Sequence, residues 1–305
     1  MNVTYKPKEL KPVKNGKEMD TIFLDKEFER KILLHIVSNS LQKNLAPCFL
    51  AIEGKMGEGK TVQTINTCFK HNIHVYYFSS SQLAGNLERD SIKELEATYN
   101  YLVDHNEDNI FNVIIIDDFH LSIASCEANV SRTVNSQILT DYLMGIADTT
   151  KASPGKKIPF ILIANTFENL YSPLTRDGRM NLFKWEPSNS QKKELICKMF
   201  RDILKDGITQ QFENLVKEYI DESMSFFGEI KNDIYIKEIE ECLKDENFAD
   251  LSELVNKLNE DIRIYNKKFV EVNQVREFIV QRKKNYQIKK GKEVGISNLN
   301  SEEVS

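Results

Sequence analysis

A glycine-rich run in the chain has the residue types and the spacing of a phosphate-binding loop. The run is Gly54-Lys55-Met56-Gly57-Glu58-Gly59-Lys60-Thr61, with Val62 directly after it. Its glycines let backbone N–H groups face phosphate oxygens, Lys60 is expected to reach the β and γ phosphates, and Thr61 offers a hydroxyl to Mg²⁺. The run predicts a site for ATP and Mg²⁺. The alternative is a plain glycine turn between a strand and a helix.

Two consecutive carboxylates follow an apolar run further along the chain. The run is Val113-Ile114-Ile115-Ile116, and Asp117 and Asp118 come directly after it. In an ATP site, Asp117 is expected to organise the Mg²⁺ shell and Asp118 to contribute to it, and Asp118 is also expected to activate the attacking water. Aspartate is shorter than the glutamate more usual there, so we expect slow hydrolysis or action through a second water. A solvated turn at the end of a strand is the alternative.

Three more polar side chains are candidates for the chemistry. Asn165 follows the apolar run Phe160–Ala164, where an amide can hold the attacking water, although asparagine after a strand is also ordinary turn chemistry. Arg176 and Arg179 come shortly afterwards. An arginine at this point cannot easily fold back to its own phosphate loop, but it can reach the nucleotide of a neighbouring subunit. That interpretation predicts a ring, and the alternative is a surface turn with a charge pair.

The elements that must position these residues form an α/β pattern. A helix from about Asp25 to Leu45 comes first, and short apolar runs then alternate with amphipathic stretches. This alternation predicts a parallel five-stranded sheet with helices on both faces. The predicted strands are Cys48–Glu53, Ile73–Phe78, Asn112–Ile116, Pro159–Ala164 and Phe183–Trp185.

The pattern changes after Pro187, where the apolar strands stop. We expect a flexible leader at 1–22, an α/β nucleotide-binding domain at 23–187, a smaller all-helical lid domain at 188–290 and a disordered tail at 291–305. The helices predicted for the lid are Gln191–Lys205, Gln210–Phe227, Ile234–Leu243, Leu251–Leu258 and Asn273–Tyr286.

The composition excludes several classes of protein. The formal net charge of −5 gives no global attraction to nucleic acid or to an anionic membrane, and 41% hydrophobic residues suffice for a core. The five cysteines lie far apart with no zinc-site spacing, so we expect them to be reduced and buried. No apolar run approaches the roughly 18 residues that span a bilayer. A cytoplasmic protein without a membrane partner is expected.

Three segments carry a resemblance to a known family. They are Val134-Asn135-Ser136-Gln137 with Leu143-Met144-Gly145-Ile146-Ala147-Asp148, then Leu170-Tyr171-Ser172-Pro173-Leu174-Thr175-Arg176-Asp177-Gly178-Arg179-Met180, and Phe226-Phe227-Gly228. From about Phe28 to about Gln281 the chain resembles AAA+ ATPases of the Rubisco activase type. The resemblance implies hexameric rings, arginine fingers at Arg176 and Arg179, and a pore loop at Leu83–Arg89 around Gly85-Asn86. It also implies remodelling of a protein client.

The chain departs from this family where nucleotide and client are sensed. Lys231 and Asp233 stand where the family carries lid arginines, and a lysine can replace an arginine only as a point charge. The amino-terminal region is shorter than the Rubisco-contacting domain of the plant proteins, and the client-recognition insertion of the lid is reduced. These differences leave the client, Rubisco or another protein, open.

Two other functions compete with client remodelling. A nucleic-acid-directed ATPase, such as a helicase or clamp loader, is supported by the basic segment Arg282–Lys292, although such a run is more often a solvated helix end. A small-molecule kinase is the third possibility, but nothing resembles an acceptor-site lid. The arginine pair favours the ring.

Overall fold

The computed structural model describes residues 7–9, 24–41, 46–83, 90–107, 109–119, 134–152, 157–168, 174–244, 252, 255 and 270–285. The chain divides into two compact units, Met1–Pro187 and Ser188–Ser305. Most of the predicted leader, the predicted tail, the pore loop at Gly85-Asn86 and the basic segment beyond 285 lie outside the described residues.

The first unit is built on a parallel sheet of five strands in the order β2-β3-β4-β1-β5. Its strands are Phe49–Glu53 (β1), His74–Ser79 (β2), Asn112–Asp117 (β3), Phe160–Ala164 (β4) and Met180–Lys184 (β5). The predicted five-stranded parallel sheet with its helices is therefore confirmed. Because β3, β4 and β1 are neighbours, the segments that follow them leave the sheet at the same carboxyl edge.

The fifth strand begins earlier than predicted. It covers Met180–Lys184, so Trp185 follows the strand instead of ending it. Residues Asn181 and Leu182 are exposed, because β5 is an edge strand that pairs with β1 alone. An edge strand with exposed positions has no continuous apolar run, which is the signal that found the four other strands.

The described helices of this unit cover the sheet, and the first two differ in how they begin. They are Lys26–Ser40 (α1), Lys60–Lys70 (α2), the single turn Ser80–Leu83 (α3), Asp90–Asp104 (α4) and Val134–Ala152 (α5). The carboxylate of Asp25 caps α1 by accepting from the N–H groups of Glu27 and Phe28. In contrast, α2 has Gly59 as its N-cap and no side-chain cap, which leaves its first N–H groups available to an anion.

The core fixes α1 against the sheet through aromatic rings and one buried histidine. Phe28 packs edge-on against Phe183 and Trp185, with ring centroids 5.4 and 5.0 Å apart. The imidazole Nε2 of His35 lies 3.0 Å from the carbonyl oxygen of Phe160. Burial lowers the pKa of His35 to about 4, so this ring is neutral at physiological pH.

The second unit is helical in its described part. Its helices are Asn189–Phe200 (α6), Gln210–Glu218 (α7), Met224–Lys244 (α8) and 272–285 (α9). Leu204 and Val270 form an isolated parallel bridge. Of the predicted helix Leu251–Leu258, the structure describes only Ser252 and Val255, and both are helical.

Three helix predictions in this unit were wrong at their boundaries. The predicted helix Gln210–Phe227 breaks after Glu218, because Ser223 accepts from the N–H of Phe226 and caps a new helix. That helix, α8, continues through Gly228 into the predicted Ile234–Leu243. The predicted Gln191–Lys205 likewise ends at Phe200.

Across the described ranges, every helix is too short or too polar to cross a membrane.

Candidate functional site

The glycine-rich run forms a tight loop between β1 and α2. Gly57 and Gly59 have φ of 76° and 78°, the left-handed region that favours glycine. A Cβ on Gly54 would lie 2.3 Å from the carbonyl oxygen of Trp185, so no side chain fits there. The loop therefore has the backbone of an anion cradle at the start of a helix.

The ammonium group of Lys60 lies at the centre of this loop. Its Nζ donates to the carbonyl oxygens of Gly54 and Lys55, at 2.6 and 2.9 Å, and to Oδ1 of Asn165 at 3.1 Å. Burial lowers the pKa of Lys60, and the nearby carboxylates of Asp117, Asp118 and Glu58 oppose that shift. The contact with Asn165 brings the end of β4 to the loop.

Asp117 joins three elements through its carboxylate. Oδ2 accepts from the hydroxyl of Thr61 and from the phenol of Tyr77, both at 2.9 Å, and Oδ1 accepts from the N–H of Asp118 at 2.9 Å. The side chain is almost buried. Burial and the bond to Asp117 raise the pKa of Tyr77, so its phenol remains a donor at any physiological pH.

Asp118 differs from its neighbour in both exposure and backbone conformation. Its φ is 52°, and the residue is exposed while Asp117 is buried. The hydroxyl of Ser80 donates to the carbonyl oxygens of Asp117, at 3.1 Å, and of Asp118. This contact between the start of α3 and the end of β3 holds an uncommon left-handed aspartate at the edge of the site.

Trp185 forms hydrogen bonds near both ends of the phosphate loop. Its backbone N–H donates to the carbonyl oxygen of Glu53 at 2.6 Å, where the loop begins. Its indole Nε1 donates to the carbonyl oxygen of Glu58 at 2.8 Å, near the loop's end. The carboxylate of Glu53 in turn accepts from the N–H of Phe167 at 2.8 Å, which ties the loop to the segment after β4.

The two arginines occupy a turn before β5 and differ in their contacts. Arg176 is exposed, and its side chain makes no hydrogen bond or ion pair with any residue that the structure describes. Arg179 donates from Nε and Nη2 to the two carboxylate oxygens of Asp148, at 2.9 and 2.8 Å. The turn is a separate feature from the cluster of Lys60, Thr61 and Asp117.

The residues at the loop fit ATP and Mg²⁺ by shape and by donor chemistry. The left-handed glycines and the excluded Cβ at Gly54 leave backbone facing the cradle. Thr61 and Asp117 offer adjacent oxygen ligands, and Mg²⁺ prefers oxygen ligands, of which the protein often supplies only one or two. Asp118 lies next in the chain. Met56 and Val62 are exposed at the loop's rim and at the start of α2.

The lid positions that depart from the family have partners within their own unit. Lys231 donates to both carboxylate oxygens of Asp202, at 2.8 Å each, and to the carbonyl oxygen of Met199 at 2.7 Å. Asp233 accepts from Arg282, which also pairs with Glu229. The ammonium of Lys231 thus already neutralises a carboxylate of the second unit.

The described part of the basic segment also carries ion pairs. Arg282 contacts two carboxylates, and Lys283 donates to Glu222 at 2.6 Å. These contacts offset part of the positive charge on which the nucleic-acid hypothesis depends.

Four residues of the site were not among the sequence candidates. Tyr77 lies in β2, Ser80 begins α3 directly after that strand, Trp185 follows β5, and Asp148 lies on α5. Their signal was weak, because each acts through a contact between elements that are distant in sequence. A polar atom at the carboxyl end of a predicted parallel strand is the pattern that Tyr77, Ser80 and Trp185 share.

Comparison with known proteins identifies the α/β part of the chain. Residues 50–186 match the family described as "ATPase family associated with various cellular activities (AAA)". The chain is 29% identical over 252 residues to the ribulose bisphosphate carboxylase/oxygenase activase of Anabaena sp., covering 77% of this chain. It is 28% identical over 233 residues to the chloroplastic activase of Arabidopsis thaliana, covering 72% of this chain. The resemblance to AAA+ proteins of the Rubisco activase type is confirmed.

The matches extend over only part of these relatives. The aligned region spans 60% of the Anabaena protein and 48% of the Arabidopsis protein. The family match includes the phosphate loop and the arginine turn, since both lie within residues 50–186.

Proposed function

We propose that this chain, an AAA ATPase similar to Rubisco activases, forms a ring in which Mg-ATP hydrolysis at subunit interfaces remodels a protein client. One observation carries the proposal. Lys60, Thr61, Asp117 and Asn165 meet at the carboxyl edge of adjacent strands, whereas Arg176 stands exposed on a separate turn. The first group can bind and position ATP, and the second can act on the nucleotide of a neighbour.

Each residue of the edge has a defined task in this mechanism. Lys60 neutralises charge on the β and γ phosphates, and the loop N–H groups orient them. Thr61 and Asp117 hold Mg²⁺, which supplies charge neutralisation at the phosphates when bound. Asn165 orients the attacking water, and Asp118 accepts its proton either directly or through a second water.

We propose a ring because the arginine turn and the phosphate loop are separate features of a single subunit. In phosphoryl transfer, an arginine that stabilises the transition-state charge is worth roughly 10³- to 10⁵-fold in rate. We assign that role to Arg176 acting in trans, and we expect a hexamer because the resemblance to AAA+ ATPases implies hexameric rings. The partner copy is therefore part of the active site.

The client is a protein of unidentified type. The relatives are named as activases of ribulose bisphosphate carboxylase/oxygenase, and Rubisco is accordingly the first client to test. The pore loop expected at Gly85-Asn86 would contact it. A cytoplasmic location remains part of the proposal.

A subunit-mixing experiment tests the shared site. Lys60→Ala and Arg176→Ala proteins are each expected to be inactive alone, the first because nucleotide is lost and the second because the transition state is unsupported. Mixed rings contain interfaces with one intact loop and one intact arginine, so ATPase activity should reappear on mixing. Normal turnover by Arg176→Ala would refute catalysis in trans. Mixtures that lack ATPase activity, although mass spectrometry shows mixed rings, would refute it as well.

A trapped variant tests the client. Asp118→Asn should bind ATP without hydrolysing it, and it should then retain purified Rubisco on a size-exclusion column if Rubisco is the client. Retention that ADP does not reverse would contradict an ATP-driven cycle.

A further inference from the structure

The two arginines of the turn before β5 are in different states. Arg176 is exposed, whereas the side chain of Arg179 is only 17% exposed. Arg179 holds Asp148 with two parallel N–H···O bonds, the bidentate geometry that gives an arginine–carboxylate pair its directionality. The chain therefore treats two arginines of the same turn differently.

Both ends of this turn are anchored in the core. Leu174 precedes it with no exposed surface, and Met180 follows it at 8% exposure. Between them, the N–H of Arg179 donates to the carbonyl oxygen of Arg176 at 3.0 Å, and Gly178 has φ of 81°. The backbone conformation thus presents Arg176 at the exposed part of a closed turn.

The carboxylate that holds Arg179 comes from a helix fixed in the same core. Ile146 and Ala147, directly before Asp148 on α5, are buried in the hydrophobic cluster that also contains Leu174 and Met180. Asp148 itself is 55% exposed. The ion pair therefore connects a helix and a turn that are both packed into the same hydrophobic cluster.

We propose that Asp148 and Arg179 form a clamp that positions the turn, so that Arg176 alone reaches the phosphates of the neighbouring subunit. Arg179 is then a positioning residue, contrary to the expectation that both arginines are fingers. The inference rests on the proposed intersubunit site.

The chemistry of the pair favours this division of roles. To offer a phosphate the bidentate face formed by Nε and Nη2, Arg179 would have to give up both bonds to Asp148, and an acidic carboxylate would then stand near the incoming nucleotide. Arg176 needs no such exchange. Because the pair is partly exposed, solvent screens it, so its loss should loosen the turn without abolishing the site. We therefore expect a loss of roughly threefold to tenfold in kcat from breaking the clamp, against roughly 10³-fold from removing Arg176.

A double-mutant cycle with a charge reversal tests the clamp. Arg179→Ala and Asp148→Ala should lower kcat by similar factors with KM for ATP unchanged, and the double variant should be no worse than either. The reversed pair, Arg179→Asp with Asp148→Arg, should recover most of the activity. Asp141→Ala, an exposed carboxylate on the same helix, is the matched control and should behave as the unmodified protein.

Two outcomes would overturn the clamp. In the first, Arg179→Ala is as inactive as Arg176→Ala, whereas Asp148→Ala has normal activity and the reversed pair is inactive. That result would identify Arg179 as a second finger. In the second, both single variants are normal. Ring assembly and thermal unfolding measured alongside separate these results from misfolding.

Hydrogen–deuterium exchange keeps this test apart from that of the proposed function. Exchange in residues 174–180 should rise equally in Arg179→Ala and Asp148→Ala and return to normal in the reversed pair. Normal turnover by Arg176→Ala would refute the intersubunit site, yet exchange would still show whether the pair holds the turn. Unchanged exchange in both single variants would refute the clamp whatever Arg176 does.

Discussion

The carboxyl edge of the sheet at the phosphate loop and the arginine turn lie in one unit but differ in burial and in bonding. At the edge, Lys60 and Asp117 are almost buried and are bonded to groups of other strands. At the turn, Arg176 is exposed, and the ion pair beside it is open to solvent. Binding machinery needs partners within the chain, whereas a residue that serves a neighbour must stay accessible until assembly. Substitutions should therefore act locally at the edge and through the assembly at the turn.

The largest effect at the edge is expected from removing the charge at its centre. Lys60→Ala should abolish measurable hydrolysis, with a loss of roughly 10²- to 10³-fold or more, because one preorganised donor to the phosphates disappears. Lys26→Ala is the matched control, since both lysines begin helices of the same unit and Lys26 is exposed. Fluorescent-nucleotide titration and phosphate release measure both. Tight ATP binding by Lys60→Ala would contradict the central place of this lysine.

A pair of glycine substitutions compares the packing of the two regions. Gly54→Ala places a Cβ 2.3 Å from the carbonyl oxygen of Trp185, so it should destabilise the unit by about 2 kcal/mol and weaken ATP binding. Gly145→Ala, on the helix that carries Asp148, meets nothing within 4 Å. It should stabilise the unit by up to about 1 kcal/mol through helix propensity. Thermal unfolding decides the sign of each, and equal effects would contradict the difference.

How much the sequence predicts differs between the two regions. Lys60, Thr61, Asp117 and Asn165 could be identified because each follows a buried strand or lies in the glycine-rich run, and parallel strands bring their carboxyl ends together. The pair Arg179–Asp148 could not, since it joins a turn to a helix that only the folded chain brings near. The contact of Arg179 with Asp148 agrees with the alternative of a surface turn with a charge pair, and the role of Arg179 as a finger stays a prediction.

The same reasoning explains the errors in the fold. Four strands were found from continuous apolar runs, but β5 was misplaced because an edge strand exposes Asn181 and Leu182. In the second unit, helical periodicity continued across the break after Glu218, where a serine cap starts a new helix. Periodicity identifies which residues are buried, and caps and edges decide where elements begin.

A smaller effect should follow from removing a hydroxyl beside Asp117. A hydrogen bond to a charged group contributes about 1.5 to 3 kcal/mol, and losing part of this at Asp117 should lower kcat roughly fivefold. Tyr77→Phe removes that bond without changing the ring. Tyr76→Phe is the control, because the hydroxyl of Tyr76 donates to Glu9 and not to Asp117. A higher Mg²⁺ requirement in Tyr77→Phe alone would support a role in positioning the metal ligand, and identical Mg²⁺ curves would refute it.

The smallest effect should come from salt, which distinguishes exposed from buried contacts. The Debye length falls from about 10 Å at 0.1 M to about 3 Å at 1 M, so salt screens exposed pairs much more than buried ones. Hydrogen exchange of residues 174–180 should therefore rise modestly between these conditions, as the Arg179–Asp148 pair weakens. Exchange at the start of α2, where Lys60 is 7% exposed, should change less. In Asp148→Ala the turn should lose its salt dependence, because the screened pair is already absent. A salt response that persists in this variant would place the sensitive contact elsewhere and remove the contrast between the two regions.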